Sequence, residues 1–535
     1  MRLFFENQKN LVVDSTNSGN NGHWSLNHSY KVLSTFFFLV ALSFSCKDAE
    51  FIQHPNIIII YADDLGFMDV GYNGNVHYDT PRIDNFSKQG MVFNNAYANA
   101  PFCSPSRASL ITGLYTPAHQ VYIPGSSERG PKEARKYVMP ENKHYLDTSL
   151  VTIAEYLKSK NYITASIGKW HLGKGPTGPR AHGFDVNIAG NMIGKPASYF
   201  SPYYNPDITN GPSGEYLTDR LTIEAIDFIN QNKDNPFFLY LSHFAPHTPI
   251  QAKKDLIGKY EKRFEGNQDL NPLYAAMVEN LDFNVGMILD FLETSGLAEN
   301  TLVIFSSDNG AYSLASSNLP LRGSKGNLYE GGIRVPLIIK WPSKIKPNTE
   351  SDVPVAATDI FPTIVDILEQ DENKSEKDGE SITPLLFDAP RKFKERPLFW
   401  YEPVYLDSYN RKRYERDNIL HLMRLTSYGE IEQKSEIESL PSDTYPAWRL
   451  TPAVAIRKGK WKLIRYLEYD SLELYNLEKD PYETNNLVVD LPLKTEELNN
   501  MIESWAKDIG APLTFPRNPS YDSEFIFDYS KNESE

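Results

Sequence analysis

Two cysteines occur in 535 residues, Cys46 and Cys103. That scarcity excludes a disulfide scaffold and a cysteine-rich zinc site, and the contexts of the two speak against pairing them. Positive charge is also in deficit. Fifty-four Lys and Arg stand against 69 Asp and Glu, a net charge of −15. No general field favours nucleic acid, so nucleic acid is not an expected partner. An anionic substrate would need a local cationic pocket. Long apolar runs are missing too, and none could span a bilayer. What remains is ordinary globular usage, 41% hydrophobic and 23% charged, which excludes a mainly disordered or fibrous chain. The length suits one large domain plus a smaller one. Aromatics are plentiful, with 32 Tyr, 28 Phe and 7 Trp. Such rings make platforms for sugars, although most serve as core or surface in any protein.

The longest apolar stretch near the N-terminus is 36–45, FFFLVALSFS, preceded by Lys31. It has the length of a signal-peptide hydrophobic region. Leu42-Ser43-Phe44-Ser45-Cys46 follows the pattern of a relaxed bacterial lipobox, in which the cysteine becomes a lipidated first residue. The alternative is plain signal-peptidase cleavage beside an incidental cysteine. Either way the expected location is the bacterial cell envelope, as a periplasmic protein or an outer-membrane lipoprotein with a lipid anchor on Cys46. Residues 1–30 are polar and longer than a usual n-region. The true start lies downstream, or this stretch carries no structure.

Beyond Cys46, short apolar runs alternate with helical patterns. The run 56–61 is β-branched and continuous, as a strand buried on both faces should be. Runs of the same kind follow at 164–167, 237–241, 302–305 and 336–339. Helical spacing marks 150–158, 217–229 and 275–292. This alternation predicts an α/β domain with a mostly parallel sheet. A charged loop is expected at 369–380. Beyond about residue 395 the pattern turns strand-rich, with antiparallel strands over 453–465 and 471–477 and a helix within 491–509. The expected division is an N-terminal extension and signal segment at 1–45, a large domain at 50–390 and a smaller subdomain at 391–535. Residues 406–450 read as a long insertion containing Arg411-Lys412-Arg413 and Arg416.

Polar residues gather directly after the strands. Asp63-Asp64 follow the first, Lys169-Trp170-His171 the second, His243 and His247 the third, and Asp308-Asn309 the fourth. In a parallel sheet all the carboxyl ends share one rim, where ligands bind. An aspartate after one strand is usually a turn residue. Four such coincidences on one rim are harder to explain that way. Asp63, Asp64, Asp308 and Asn309 are hard oxygen donors suited to Ca²⁺ or Mg²⁺. Adjacent desolvated carboxylates repel unless a cation lies between them. A further element is Cys103-Ser104-Pro105-Ser106-Arg107, continuing Ala108-Ser109-Leu110-Ile111-Thr112-Gly113. Pro105 suits a helix start and Gly113 a stop. Cys103 would then lie at the helix's positive end, as a reactive thiol or as an inert buried one.

This cysteine motif resembles the signature of the type I, formylglycine-dependent sulfatases. The likeness continues in Gly168-Lys169-Trp170-His171-Leu172-Gly173, in Ala245-Pro246-His247, in Ser307-Asp308-Asn309-Gly310, in Leu321-Arg322-Gly323-Ser324-Lys325-Gly326 and in Glu330-Gly331-Gly332-Ile333-Arg334-Val335-Pro336. It runs from about Pro55 to the end. The resemblance implies an alkaline-phosphatase-like α/β/α sandwich with a smaller C-terminal antiparallel sheet and helix. It implies oxidation of Cys103 to formylglycine by a formylglycine-generating or anaerobic sulfatase-maturating enzyme. It implies one divalent cation, Ca²⁺ before Mg²⁺, held by Asp63, Asp64, Asp308, Asn309 and residue 103. A hydrated formylglycine would attack sulfur, and the sulfated diol would collapse to release sulfate. Arg107, Lys169 and Lys325 would neutralise the sulfate, His171 would move protons of the diol and His247 would protonate the leaving oxygen. His119, His182 and His243 read as structural or supporting. The implied substrate is a sulfated glycan, of an algal type such as ulvan or carrageenan. Two alternatives stand beside this: a phosphodiesterase or phosphonate hydrolase of the same superfold, and a surface glycan-binding protein without catalysis.

Overall fold

The computed structural model describes residues 54–267, 270–313, 315–369, 377–387, 393–407 and 449–525. Cys46 with its apolar run, and nearly all of the 406–450 insertion, lie outside the described residues. The strands of the first part are β1 (Asn56–Ala62), β2 (Met91–Phe93), β3 (Ala96–Tyr97), β4 (Ile163–Gly168), β5 (Val186–Ile188), β6 (Phe237–Ser242), β7 (Thr301–Ser307), β8 (Leu337–Lys340), β9 (Thr349–Ser351) and β10 (Val355–Ala356). β3 and β10 pair with each other. The rest form one eight-stranded sheet in the order β5-β4-β6-β1-β7-β8-β2-β9. Its first five members are parallel. β8, expected to be parallel like the others, runs antiparallel to both neighbours. It is a buried apolar run whichever way it points, so hydrophobicity alone could not assign its direction.

β1 shows why the sheet sits centrally. Its side chains alternate between faces, and Ile57 to Ile60 are all fully buried. Ile58 and Ile60 enter one core, Ile57 and Ile59 the other. Burying each such side chain contributes about 1.5–3 kcal/mol. Helices α1 (Pro81–Gln89), α4 (Leu217–Asn232), α5 (Lys254–Arg263) and α6 (Pro272–Thr294) supply the first core. Helices α2 (Cys103–Thr112), α3 (Ile153–Ser159) and α7 (Ile360–Glu369) supply the second. This is the three-layer α/β/α sandwich. α3 starts where Thr152 and Glu155 form a reciprocal capping box.

A second sheet follows: β11 (Pro397–Glu402), then the pair β12 (Leu406–Asp407) and β13 (Arg449–Leu450), then β14 (Ala453–Lys458), β15 (Trp461–Tyr466) and β16 (Ser471–Asn476). β11, β14, β15 and β16 are joined antiparallel. The single strand expected at 453–465 is a hairpin. Gly459, at φ 54°, supplies the turn that separates β14 from β15. β12 pairs with β13, so the insertion leaves and returns through one short ladder. One face of the sheet packs on α8 (Pro492–Asp508) through Leu498, Ile502 and Ala506. The other face, through Trp400 and Ile464, packs on Tyr97, Leu328 and Ile333 beside the large sheet. Among the described residues no helix is long and apolar enough to cross a membrane.

Candidate active site

The carboxyl ends of β1, β4, β6 and β7 and the start of α2 converge. α2 begins at Cys103 itself, two residues earlier than Pro105 suggests, because the first amides of a helix have no partner to lose and proline is tolerated there. Gly113, at φ 71°, ends it. Every side chain of α2 is buried, Arg107 among them.

Arg107 donates from Nε and Nη2 to Asp308 Oδ2, at 2.9 and 2.7 Å, and its Nη2 lies 3.6 Å from Asp63 Oδ1. Its Nη1 bonds Ser242 Oγ, with Tyr240 OH at 3.3 Å. Lys169, fully buried, donates to Asp63 Oδ2 at 2.6 Å. Lys325 Nζ lies 2.7 Å from Asp64 Oδ1 and 3.2 Å from Cys103 Sγ. Asn309 Nδ2 donates to Asp64 Oδ1 at 2.7 Å, and the Asp64 amide donates to Asp308 Oδ1 at 3.1 Å. Asp64 holds φ at 63°, which turns its carboxylate into the cluster. His247 Nε2 lies 3.5 Å from Asp64 Oδ2, while its Nδ1 meets Thr248 O at 2.8 Å. That contact assigns the Nδ1 proton and leaves Nε2 facing the cluster.

The electrostatics follow from burial. Burial pushes the Cys103 thiol up to about 12, against the pull of Lys169 and Lys325. The reactive thiol considered from the helix position is therefore not what the fold provides, since desolvation outweighs the helix end. Burial also drives the Asp63 carboxyl up, against Lys169 and with help from Asp308. Asp308 goes the other way: burial opposes ionisation, but Arg107 and Lys169 outweigh it. Burial, then Lys325 and Lys169, hold His247 well below the usual imidazole range. Burial, then Lys169 and Arg107, do the same to His171.

Asp63, Asp64, Cys103 and His247 offer ligand atoms within 4.8 Å of one another. Buried oxygens Asp63 Oδ1 and Asn309 Oδ1 have no hydrogen-bond partner. Orphaned oxygens among crowded carboxylates fit a hard divalent cation. Three carboxylates (Asp63, Asp64, Asp308) meet three cations (Arg107, Lys169, Lys325), so the charges balance. A divalent ion would leave the site positive and suited to an anion.

All ten residues singled out in the sequence lie at this rim. His171 has no hydrogen-bonded link to the cluster, but its main-chain amide donates to Asn191 O at 2.7 Å. Gly194 closes on its ring, and a Cβ there would come within 2.6 Å of Cε1 and Nε2. His119 is satisfied by Ser109 Oγ and the Val121 amide. His182 packs beside Trp170, and His243 is buried with neither ring nitrogen bonded. Ser242, Tyr240 and Gly194 join the site without having stood out as site residues in the sequence. Only Ser242 carried a signal, as the last residue of a strand feeding the rim.

The family model described as Sulfatase matches residues 55–370, and one described as N-sulphoglucosamine sulphohydrolase, C-terminal, matches 324–433. A curated sulfatase of Formosa agariphila is 32% identical, over 89% of this chain and 92% of its own length. An N-acetylgalactosamine-6-O-sulfatase of Bacteroides thetaiotaomicron is 28% identical, over 84% and 93%. A solved structure, Ps i-CgsB, superposes with a TM-score of 0.66 at 29% identity, covering 86% of this chain and 94% of that one. The same protein has been solved in complex with k-i-k-neocarrahexaose, an oligosaccharide. With the motif at Cys103, the cations around it and a match over more than half its length, the chain belongs to the sulfatase family and hydrolyses sulfate esters.

Proposed function

We propose that this enzyme desulfates an algal-type sulfated polysaccharide or its oligosaccharides, in the class of ulvan and carrageenan, using residue 103 as formylglycine and one Ca²⁺. The observation that carries the reading is the convergence of Arg107, Lys169 and Lys325 on the three carboxylates around Cys103. The oligosaccharide held by the 29% identical neighbour supports the glycan class. Formylglycine would supply a geminal diol as nucleophile where a thiol cannot turn over, and the cation would act as Lewis acid and template. Asp63, Asp64, Asp308 and Asn309 would hold that ion.

The chain's own groups do the rest. Lys325, only 13% exposed at its side chain, and buried Lys169 bring positive charge to a bound sulfate. Arg107 fixes Asp308 and Asp63 from behind, and Ser242 and Tyr240 fix Arg107. His247 presents Nε2 toward the rim and is placed to hand a proton to the departing sugar oxygen. Nε2 carries no proton in the resting imidazole, so this role needs the imidazolium: burial is the first cause holding it low, and an anionic ester bound beside Lys325 offsets the second, the Lys325 and Lys169 charges. Since all these groups are in place, an inactive glycan-binding protein lacks a missing catalytic group to explain it. Placement in the bacterial envelope remains part of the proposal and rests on Cys46. Fatty-acid labelling of wild type but not of Cys46→Ser is its check.

Matured enzyme screened on defined ulvan, carrageenan, fucoidan and glycosaminoglycan fragments should release sulfate from an algal glycan. Release from glycosaminoglycan fragments alone would overturn the substrate class. A second comparison tests His247. A sugar alkoxide leaves poorly without a proton, whereas a nitrophenolate leaves readily. His247→Ala should cost about 10²–10⁴-fold on a sulfated sugar and far less on an aryl sulfate. Lys325→Ala should depress both alike. Equal losses for His247→Ala in the chemical step would make His247 a sulfate binder.

A further inference from the structure

Lys325 is held by a segment whose anchor lies in the second sheet. Its own amide donates to Ala311 O at 3.1 Å, and the next, of Gly326, to Pro101 O at 2.9 Å. Further along, Glu330 is buried at 1% exposure. Lys462 Nζ, from the start of β15, lies 3.0 Å from Glu330 Oε1 and 2.8 Å from Glu483 Oε1. Glu483 Oε2 accepts the Glu330 amide at 2.7 Å, and Glu483 O accepts Arg322 Nη1 at 2.9 Å. Tyr97 OH donates to Glu330 Oε2 at 2.7 Å. Lys462 and Glu483 are fully buried, and Glu483 keeps a left-handed φ of 55° to reach this place.

The connection from this cluster to the site is short and stiff. Gly332, two residues after Glu330, accepts the Gly310 amide at 2.9 Å, and Gly310 follows Asn309. A Cβ on Gly310 would come 1.9 Å from Gly331 O, and one on Gly332 would come 2.0 Å from Asn327 O. The two segments are in main-chain contact, so the loop behind Asn309 buttresses the segment that carries Lys325.

We propose that Lys462, bridging Glu330 and Glu483, is a positioning residue for the sulfatase site: it locks the segment carrying Lys325 in the register that brings Nζ to Cys103 and Asp64. Lys462 touches no reacting atom. Two buried carboxylates from different parts of the chain can approach because one buried ammonium lies between them; removing it takes the cation from Glu483 and leaves Glu330 only the longer contacts to Arg334 Nη1 and Arg457 Nη1, at 3.8 and 3.9 Å. Stability alone does not need this arrangement, since apolar side chains fill such a space as well or better. The register of the segment does need it.

The inference rests on the reading of Lys325 as a sulfate-binding cation, and a double-mutant cycle separates the two. Lys462→Met, Lys325→Ala and the double variant are compared by kcat/KM on an aryl sulfate, each with its thermal midpoint. Lys462→Met is expected to lower kcat/KM by about 10–100-fold, as loss of a partner that orients site groups does, and by less than about threefold in the Lys325→Ala background. Equal losses in both backgrounds, or a Lys462→Met enzyme within twofold of wild type, would overturn the proposal. If instead Lys325→Ala alone left activity intact, the sulfate-binding reading would fall, and the latch with it. Should Lys462→Met not fold, Glu483→Gln goes through the same cycle with the same outcomes. It keeps an acceptor for the Glu330 amide but gives up the charge that Lys462 bridges.

Discussion

Cys103→Ala is expected to abolish multiple-turnover hydrolysis of sulfate esters in every expression host, a loss on the order of 10⁶-fold, as for removal of a covalent nucleophile. Residue 103 begins a fully buried helix, and its side chain meets Lys325 Nζ at 3.2 Å and Asp64 Oδ1 at 3.9 Å. The substitution deletes one atom at that convergence and leaves the helix and Arg107 intact, so an unfolded protein is not the expected cause. Cys103→Ser should be equally dead unless the host oxidises serine, because the cysteine pathway does not convert an alcohol. The check is twofold: initial rates of the variants, and mass spectrometry of the wild-type peptide containing residue 103. An unmodified thiol throughout a fully active sample, or wild-type turnover by the alanine variant, would end the formylglycine reading.

Loss of one metal-facing carboxylate should come second in size. Asp63→Asn or Asp308→Asn is expected to empty the site of its divalent ion and lower kcat/KM by more than about 100-fold, beyond the cost of an outer partner. The two differ in what else they disturb. Asp63 is paired mainly with Lys169, at 2.6 Å. Asp308 takes both Arg107 donors on one oxygen. Truncating Asp308 to alanine takes the nearest carboxylate from a buried guanidinium and should also cost about 3–5 kcal/mol of stability, and truncating Asp63 to alanine does the same to the fully buried Lys169 ammonium. Metal analysis of the active wild type should find one Ca²⁺ per chain. Stoichiometric zinc at full activity would contradict the oxygen donor set.

Much of the site was legible from short stretches. β1, β6 and β7 are built on continuous apolar runs, β4 on a shorter one, and the residue types that follow them name the rim, whereas β5, half-buried and carrying Asn187, has no such run. Ser242 was legible in place but not in role, because its contact with Arg107 depends on where α2 crosses the sheet. Gly194 and Tyr240 carried no local signal, since one acts by lacking a side chain and the other looks like core. The β14–β15 turn had a signal in Gly459 that the strand pattern around it obscured.

The features legible in short stretches of sequence are therefore local: most strand and helix positions, the cysteine helix with its arginine, and the carboxylates, lysines and histidines at strand ends. These follow from hydrophobic period and from main-chain rules within a few residues, and they survive any arrangement of the elements. How those pieces meet depends on the assembled fold. The reversed direction of β8, the burial that pushes the Cys103 thiol up and the Lys462 bridge to the Lys325 segment all join residues distant in the chain. Their energies come from desolvation and close packing between layers, and those quantities exist only once the layers are assembled.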